Sequence, residues 1–327
     1  MSDTDPYAGL GDIDPSLLIP CTIDICPIST SFYNYRIDRA ANIALAVMFG
    51  LAMLLYSAIW IATRRAHFFN AVMVIGLAVE VLGYAARVWS YDDQWALTPY
   101  LIQIICLTLA PAFFSAAVYV CLGKIVVIYG KENSWLRPLT YTYIFIPCDV
   151  LALILQAVGG GIAAASLATY SFAELQVGTN IMTAGLVWQV FTLLCFISLC
   201  IAFFVRVWHR SRKLGVDAMC QDQWAVFTRR SRRFKLFLPA LTLATILIFW
   251  RCIFRVVELN AGFNGPVTSD QGLFIGFEGV IIAVAVYLLA VFHPALCMGK
   301  AFVRHVCSVD CQCASQYIEL SHRTRRP

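Results

Sequence analysis

Residues 272–292 read GLFIGFEGVIIAVAVYLLAVF, and this stretch decides the fold class. It holds one formally charged side chain, Glu278. A helix rises about 1.5 Å per residue, so roughly 20 apolar residues cross the hydrocarbon core of a bilayer. Six further runs meet the same test: 40–62, 67–88, 100–123, 141–168, 181–205 and 236–258. The expected fold is an all-α, polytopic membrane protein with a bundle of seven transmembrane helices. Residues 1–39 are expected to form an N-terminal tail, 40–294 the membrane domain and 295–327 a C-terminal tail.

Composition agrees. Of 327 residues, 60% are hydrophobic and 13% are charged. That charged share is about half the usual one for a soluble domain. It excludes a soluble enzyme, a disordered chain and a nucleic-acid-binding domain. The alternating ten-residue segments of an outer-membrane barrel are absent. Residues 1–39 are acidic and polar, with no apolar core behind a basic start, so the first span is expected to act as the insertion signal. There is no Asn-x-Ser/Thr sequon.

Basic residues set the expected orientation, because Lys and Arg concentrate on the cytosolic side of short loops. Loops after spans one, three and five hold two, three and nine, and the C-terminal tail holds five. Those after spans two, four and six hold none, and the N-terminal tail holds two, Arg36 and Arg39. The N-terminus is therefore expected outside and the C-terminus in the cytosol. The segment Arg206–Lys235 is the one substantial cytosolic loop. Its Arg229, Arg230, Arg232 and Arg233 read either as a topology determinant or as a contact for anionic lipid or a protein partner, each basic group near the surface adding about 1 kcal/mol.

Charges within the spans are the candidate functional residues. A charge at mid-bilayer costs about 3 kcal/mol even on the lenient insertion scale, so each needs a partner or a purpose. Glu80 and Arg87 lie seven residues apart on one helical face, with Tyr84 between them. Asp149 and Gln156 repeat that spacing in span four, ahead of Gly159-Gly160-Gly161. Span six carries Arg251, Arg255 and Glu258, and span seven Glu278. Counting helical rise places the six charges of spans two, six and seven in the outer half of the membrane, with Asp149 deeper. Two readings stay open: structural ion pairs locking these spans, or a polar cavity open toward the outer leaflet. In the second, Glu80, Asp149 and Glu278 receive a cationic head group or carry a proton. Pro111 in span three removes a backbone donor and leaves a carbonyl for Ser115 or a neighbouring helix to satisfy.

Cysteine usage adds one expectation. Most of the 13 cysteines lie in apolar runs, as small hydrophobes. Cys21 and Cys26, in the exterior tail, are expected to form a disulfide. Cys307, Cys311 and Cys313 read as free thiols, with palmitoylation as an alternative. His293 reads as an interfacial residue that ends span seven with Pro294.

Several seven-helix functions lack their residues. Span seven has no Lys for a retinal Schiff base. No His and Asp set suits a membrane zinc hydrolase. No phosphate loop is present, and the Asp-Arg-Tyr and Asn-Pro-x-x-Tyr signatures of rhodopsin-like receptors are missing. No catalytic residue, metal site or cofactor is called for.

Taken in order, the polar stretches resemble the fungal lipid-translocating exporter (RTA-like) family, which includes proteins linked to resistance to 7-aminocholesterol and to sphingoid long-chain bases. Glu80-Val-Leu-Gly83-Tyr84-Ala-Ala-Arg87 is similar to its span-two motif. Leu109-Ala110-Pro111-Ala112 with Ala116, Tyr119 and Leu122-Gly123-Lys124 resembles span three, where the family usually has Arg in place of Lys124. Asp149-Val150 with Gln156 and Gly159-Gly160, then Gly185-Leu186 with Gln189, resemble spans four and five. Arg251-x-x-Phe254-Arg255-x-x-Glu258, Gly262, Gly265, Glu278 and His293-Pro294 resemble the end of the chain. Members often carry an aromatic-Asp pair after the span-seven Glu. Ile281–Ala285 has no acid, so no proton-coupling role carries over there.

The resemblance implies movement or release of amphipathic lipids in a fungal plasma membrane or internal membrane, and resistance to toxic lipids. A long-chain-base ammonium would pair with Glu80 or Glu278 while its tail lies between helices. The alternative is a lipid-sensing receptor or regulator that signals through the basic 206–235 loop.

Overall fold

A computed structural model describes residues 21, 23, 25–169, 172–215, 219–260, 270–299 and 302. The helices are α1 (Arg39–Thr63), α2 (His67–Trp89), α3 (Leu97–Tyr129), α4 (Pro138–Thr169), α5 (Phe172–Leu214), α6 (Gln223–Arg230), α7 (Arg232–Asn260), α8 (Gln271–Leu273), α9 (Ile281–Val291) and α10 (Pro294–Cys297). Between α8 and α9 the chain winds as a π-helix, Phe274–Val280, so these three segments together make the seventh span. Seven helices are long and apolar enough to cross a membrane. No strand occurs among the described residues.

Each boundary has a local cause. The Asp38 carboxylate accepts from the backbone N–H groups of Ala40 and Ala41 at 2.9 and 3.2 Å and starts α1. Asp270 does the same for Gly272 and Leu273 at 2.8 and 3.3 Å. Arg64 and Ala66 take left-handed backbone (φ 49° and 54°) and fold the α1–α2 connection into three residues. Gly130, at φ 109°, ends α3 where a side chain would be strained.

The helices outrun the expected spans, most in α3 and α5. At about 1.5 Å per residue, the 43 residues of α5 extend roughly 65 Å, twice the hydrocarbon thickness. Residues 206–214 contain neither Gly nor Pro and simply continue the helix to Gly215 (φ 63°). The expected basic loop 206–235 is therefore mostly helix: the end of α5, then α6, then the start of α7.

α3 is the central element and touches α2, α4, α5 and α7. Two thirds of its most apolar window is buried, against 22% for α1. The outward faces of α1, α4 and α5 leave Leu54, Ile61, Ile154, Phe191 and Ile201 exposed, as a lipid-facing surface requires. Small residues set the closest approaches. A Cβ on Gly159 would stand 2.4 Å from the Met182 backbone nitrogen, and one on Gly178 would stand 2.5 Å from that of Ala163. Gly160 and Gly161 have no such contact, so Gly159 alone of that triplet sets the α4–α5 distance.

Part of the expected N-terminal tail, residues 27–38, is structured. These residues pack on the end of the bundle, with Tyr33 and Ile37 buried against Tyr100. His293, at the end of the seventh span, is fully buried within the protein. Its Nδ1 accepts from the Ala295 N–H at 3.2 Å, so Nε2 carries the proton and donates to Asn70 Oδ1 at 2.9 Å. This bond ties the end of the seventh span to α2. Cys21 and Cys26 form a disulfide, with Cα atoms 5.4 Å apart. Cys307, Cys311, Cys313, Gly262 and Gly265 lie outside the described residues.

Candidate functional site

The π-wound Phe274–Val280 segment is where three helices bring their charges together. A π turn holds an extra residue and is frequent at functional sites. Within it Phe274, Glu278 and Gly279 are buried. A Cβ on Gly279 would lie 2.6 Å from Leu45 and 3.0 Å from the Tyr84 hydroxyl, so this glycine lets the segment press against α1 and α2. On α2 the buried face is Glu80, Gly83, Tyr84 and Arg87, at the spacing the sequence shows. Gly83 plays the same part toward α3, where a Cβ would meet Leu107 at 2.7 Å.

Arg251 of α7 is the hub. Its Nη2 donates to Glu278 Oε1 at 2.7 Å and lies 3.3 Å from Glu80 Oε1, with all three side chains at zero exposure. The same nitrogen donates to the Leu107 carbonyl at 2.7 Å. Leu107 is four residues before Pro111, the position whose carbonyl a proline leaves without its helical donor. The donor owed to α3 thus comes from a guanidinium on α7, and Ser115 is used elsewhere. Arg255, one turn on, holds Glu278 Oε1 at 3.0 Å through Nε and Glu258 at 2.8 Å through Nη1.

Glu80 and Glu278 therefore face Arg251 in a fully buried network rather than an open cavity. An accessible cleft lies next to it, at the end of the bundle covered by residues 27–38. It has about 590 Å³ of unfilled space, its open mouth included. Arg87, Arg255 and Glu258 supply its charge, and Ile104, Met182 and Leu259 its apolar wall. Phe32, Tyr33, Tyr35, Tyr100 and Phe274 surround these with rings. The Arg87 guanidinium lies 3.8 Å from the Phe274 ring centroid and donates to the Tyr35 hydroxyl. Tyr33 donates to Gln103 Oε1 at 2.8 Å and stands 2.9 Å from Ser90 Oγ, which ties the N-terminal segment to α2 and α3. Burial pushes the Tyr33 phenol up to about 12, against the lowering pull of Ser90 and Arg87.

Asp149 and Gln156 do not join the cluster. Asp149 accepts from Ser115 at 2.7 Å and from Thr192 at 3.3 Å, and Gln156 donates to Gln189 at 3.0 Å. They belong to a separate seam of α3, α4 and α5. Of the basic run, Arg230, Arg232 and Arg233 are exposed. Arg229 is engaged internally, donating to the carbonyls of Ile128 and Cys220 at 2.6 Å each and so closing the end of α3. Among the described residues no three His, Cys, Asp or Glu side chains converge as metal ligands.

Sequence reasoning missed the aromatic wall. Its signal was Phe32-Tyr33-Asn34-Tyr35 just ahead of the first span, a run suited to a membrane interface.

The profile of the family described as "RTA1 like protein" matches residues 73–301, which takes in all the cleft's charged residues. The chain belongs to this RTA1-like family. Among curated relatives, the sphingoid long-chain base transporter RSB1 of Saccharomyces cerevisiae (strain Lalvin EC1118 / Prise de mousse) is 30% identical over 287 residues, covering 81% of this chain and 74% of the relative. Protein RTA1 of Saccharomyces cerevisiae is 27% identical over 245 residues, covering 75% and 70%. Protein RTM1 from the same species is 26% identical over 301 residues, covering 80% and 91%. No solved structure matches the chain. As an RTA1-like protein with seven apolar helices, the chain is an integral membrane protein.

Proposed function

We propose that this RTA1-like protein moves amphipathic lipids of the sphingoid long-chain-base or sterol-like kind across the bilayer, and so confers resistance to toxic lipids. The observation that carries the reading is the cleft, where charge, aromatic rings and apolar surface share one open space beside a rigid ion-pair network. A lipid with a small polar head needs that combination: charged and ring-bearing groups for the head, and Ile104, Met182 and Leu259 for the start of the chain. The similarity to a long-chain-base transporter over most of both chains supports the same substrate class.

The reading shifts the head-group contacts. Glu80 and Glu278 are fully buried outside the cleft lining, whereas Glu258 lines it beside its partner Arg255, so an ammonium meets Glu258 and the Tyr33, Tyr35 and Tyr100 rings instead. The Lys and Arg distribution supports an outward-facing cleft, and the reading takes the membrane to be the plasma membrane, where a lipid is released or captured.

The test is transfer of a fluorescent long-chain base between leaflets of liposomes holding the purified protein. Transfer should exceed that of protein-free liposomes, and Ile104→Trp, which fills the cleft, should remove most of the excess. Transfer equal to the protein-free rate would overturn the proposal. Binding without transfer would favour the sensor reading.

A further inference from the structure

In the buried cluster every charged side chain but one has an opposite charge within ion-pair distance. Arg251 faces Glu278 and Glu80, and Arg255 faces Glu278 and Glu258. Arg87 is 1% exposed and lies in no ion pair among the described residues. Its neighbours are neutral: the Tyr35 hydroxyl and the rings of Phe274, Tyr33 and Tyr35 at 3.8, 5.2 and 5.7 Å. Its Nε has no acceptor. Rings and one hydroxyl position a guanidinium, but they supply no countercharge, and a buried cation without one is costly. A planar fork with free N–H groups suits a bidentate oxyanion.

Arg87 lines the cleft. Of the cleft's three charged side chains, Arg255 and Glu258 pair at 2.8 Å, which leaves Arg87 as the one with no opposite charge within ion-pair distance. A phosphate ester would supply that charge at hydrogen-bond range, whereas a simple amine would not.

We propose that Arg87 is an anion subsite, and that the cleft takes amphiphiles whose head group carries a phosphate ester. A long-chain-base phosphate is the simplest such lipid that also presents an ammonium to Glu258 and Tyr100. This deepens the lipid-transport reading and rests on its assignment of the cleft to a lipid head.

The test is equilibrium binding to the full chain in a phosphate-free maltoside micelle. A long-chain-base phosphate, its parent base and inorganic phosphate are measured in parallel. The phosphate lipid should bind at least about ten-fold more tightly than the base, with no competition from millimolar inorganic phosphate. Arg87→Gln should abolish the advantage of the phosphate lipid over the base, while Arg87→Lys keeps part of the preference. Equal or tighter binding of the base to the unaltered protein overturns the proposal without reference to any variant. Equal competition by inorganic phosphate overturns it as a lipid head-group site. If the base is still translocated while the phosphate confers no advantage, the subsite alone falls. If neither lipid binds, the transport reading falls with it.

Discussion

Between α2, α7 and the π-wound segment, the buried polar atoms belong to charged side chains of both signs. Between α3, α4 and α5, they belong to one acid among neutral groups. In the first region Arg251 and Arg255 divide themselves among Glu80, Glu278 and Glu258. In the second Asp149 is met by neutral hydroxyls, those of Ser115 and Thr192 and, beside them, Tyr119, and Gln156 pairs with Gln189. Both are buried in a membrane bundle where water cannot compensate, yet they fix the helices in different ways. The charged region binds three helices through a few directional contacts that depend on one another. The neutral region relies on backbone contact at Gly159 and Gly178, with its hydrogen bonds added to packing that already holds.

The sharpest way to break this contrast is one isosteric amide in each region. Glu278→Gln removes the acid shared by two buried guanidinium groups and leaves both undercompensated. Loss of one partner from a buried pair costs about 3–5 kcal/mol. The variant should show a large fall in thermal midpoint in detergent and in the yield of monodisperse protein. Asp149→Asn keeps an acceptor for one of the Ser115 and Thr192 hydroxyls, which now use different carboxylate oxygens, and removes no ion pair, so its cost should stay near one hydrogen bond, about 1 kcal/mol. Equal losses in the two variants would mean that the regions are not distinct in kind.

The second test concerns backbone contact. Gly178→Val puts a branched side chain where a Cβ alone would stand 2.5 Å from the Ala163 nitrogen. Overpacking of this kind costs about 1–3 kcal/mol. Gly161→Ala, in the same triplet as Gly159 but with nothing within 4 Å of its Cβ, serves as the control and should be neutral. A stable Gly178→Val would show that hydrogen bonds, rather than close approach, hold α4 to α5.

The contrast also marks what was legible in the chain. Continuous apolar runs located all seven helices, because the bilayer demands that length and that composition. The spacing of Glu80, Tyr84 and Arg87 gave their common face correctly, since it depends on one helix alone. The rotation of one helix against another was not legible. An apolar run looks the same from every side, so nothing in it separated Asp149 from the charges of spans two, six and seven. The π winding at Phe274–Val280 changes the register of the seventh span by local geometry that no periodicity announces. The aromatic segment 32–35 reaches the cleft through contacts 50 to 70 residues away in sequence, as with Tyr33 and Gln103, and adjacent residues do not reveal them.

One long-range link was half legible. Pro111 had to leave a carbonyl unsatisfied, but which group supplied the donor could not be read. The structure assigns that role to Arg251, whose Nη2 serves Leu107 O at 2.7 Å and Glu278 at 2.7 Å together. The proline and the ion-pair network should therefore be coupled in energy. Pro111→Ala restores an N–H that can bond Leu107 O within α3, which relieves Arg251 of one of its two duties. In a double-mutant cycle with Arg251→Met, measured by thermal unfolding in detergent, the methionine should cost less in the Pro111→Ala background than in the parent. The expected difference is about 1 kcal/mol, the usual net worth of one hydrogen bond. Additive costs would mean that Arg251 is placed by its acids alone and that the proline is incidental. A non-zero coupling would make the missing backbone donor part of what positions the charge cluster beside the cleft.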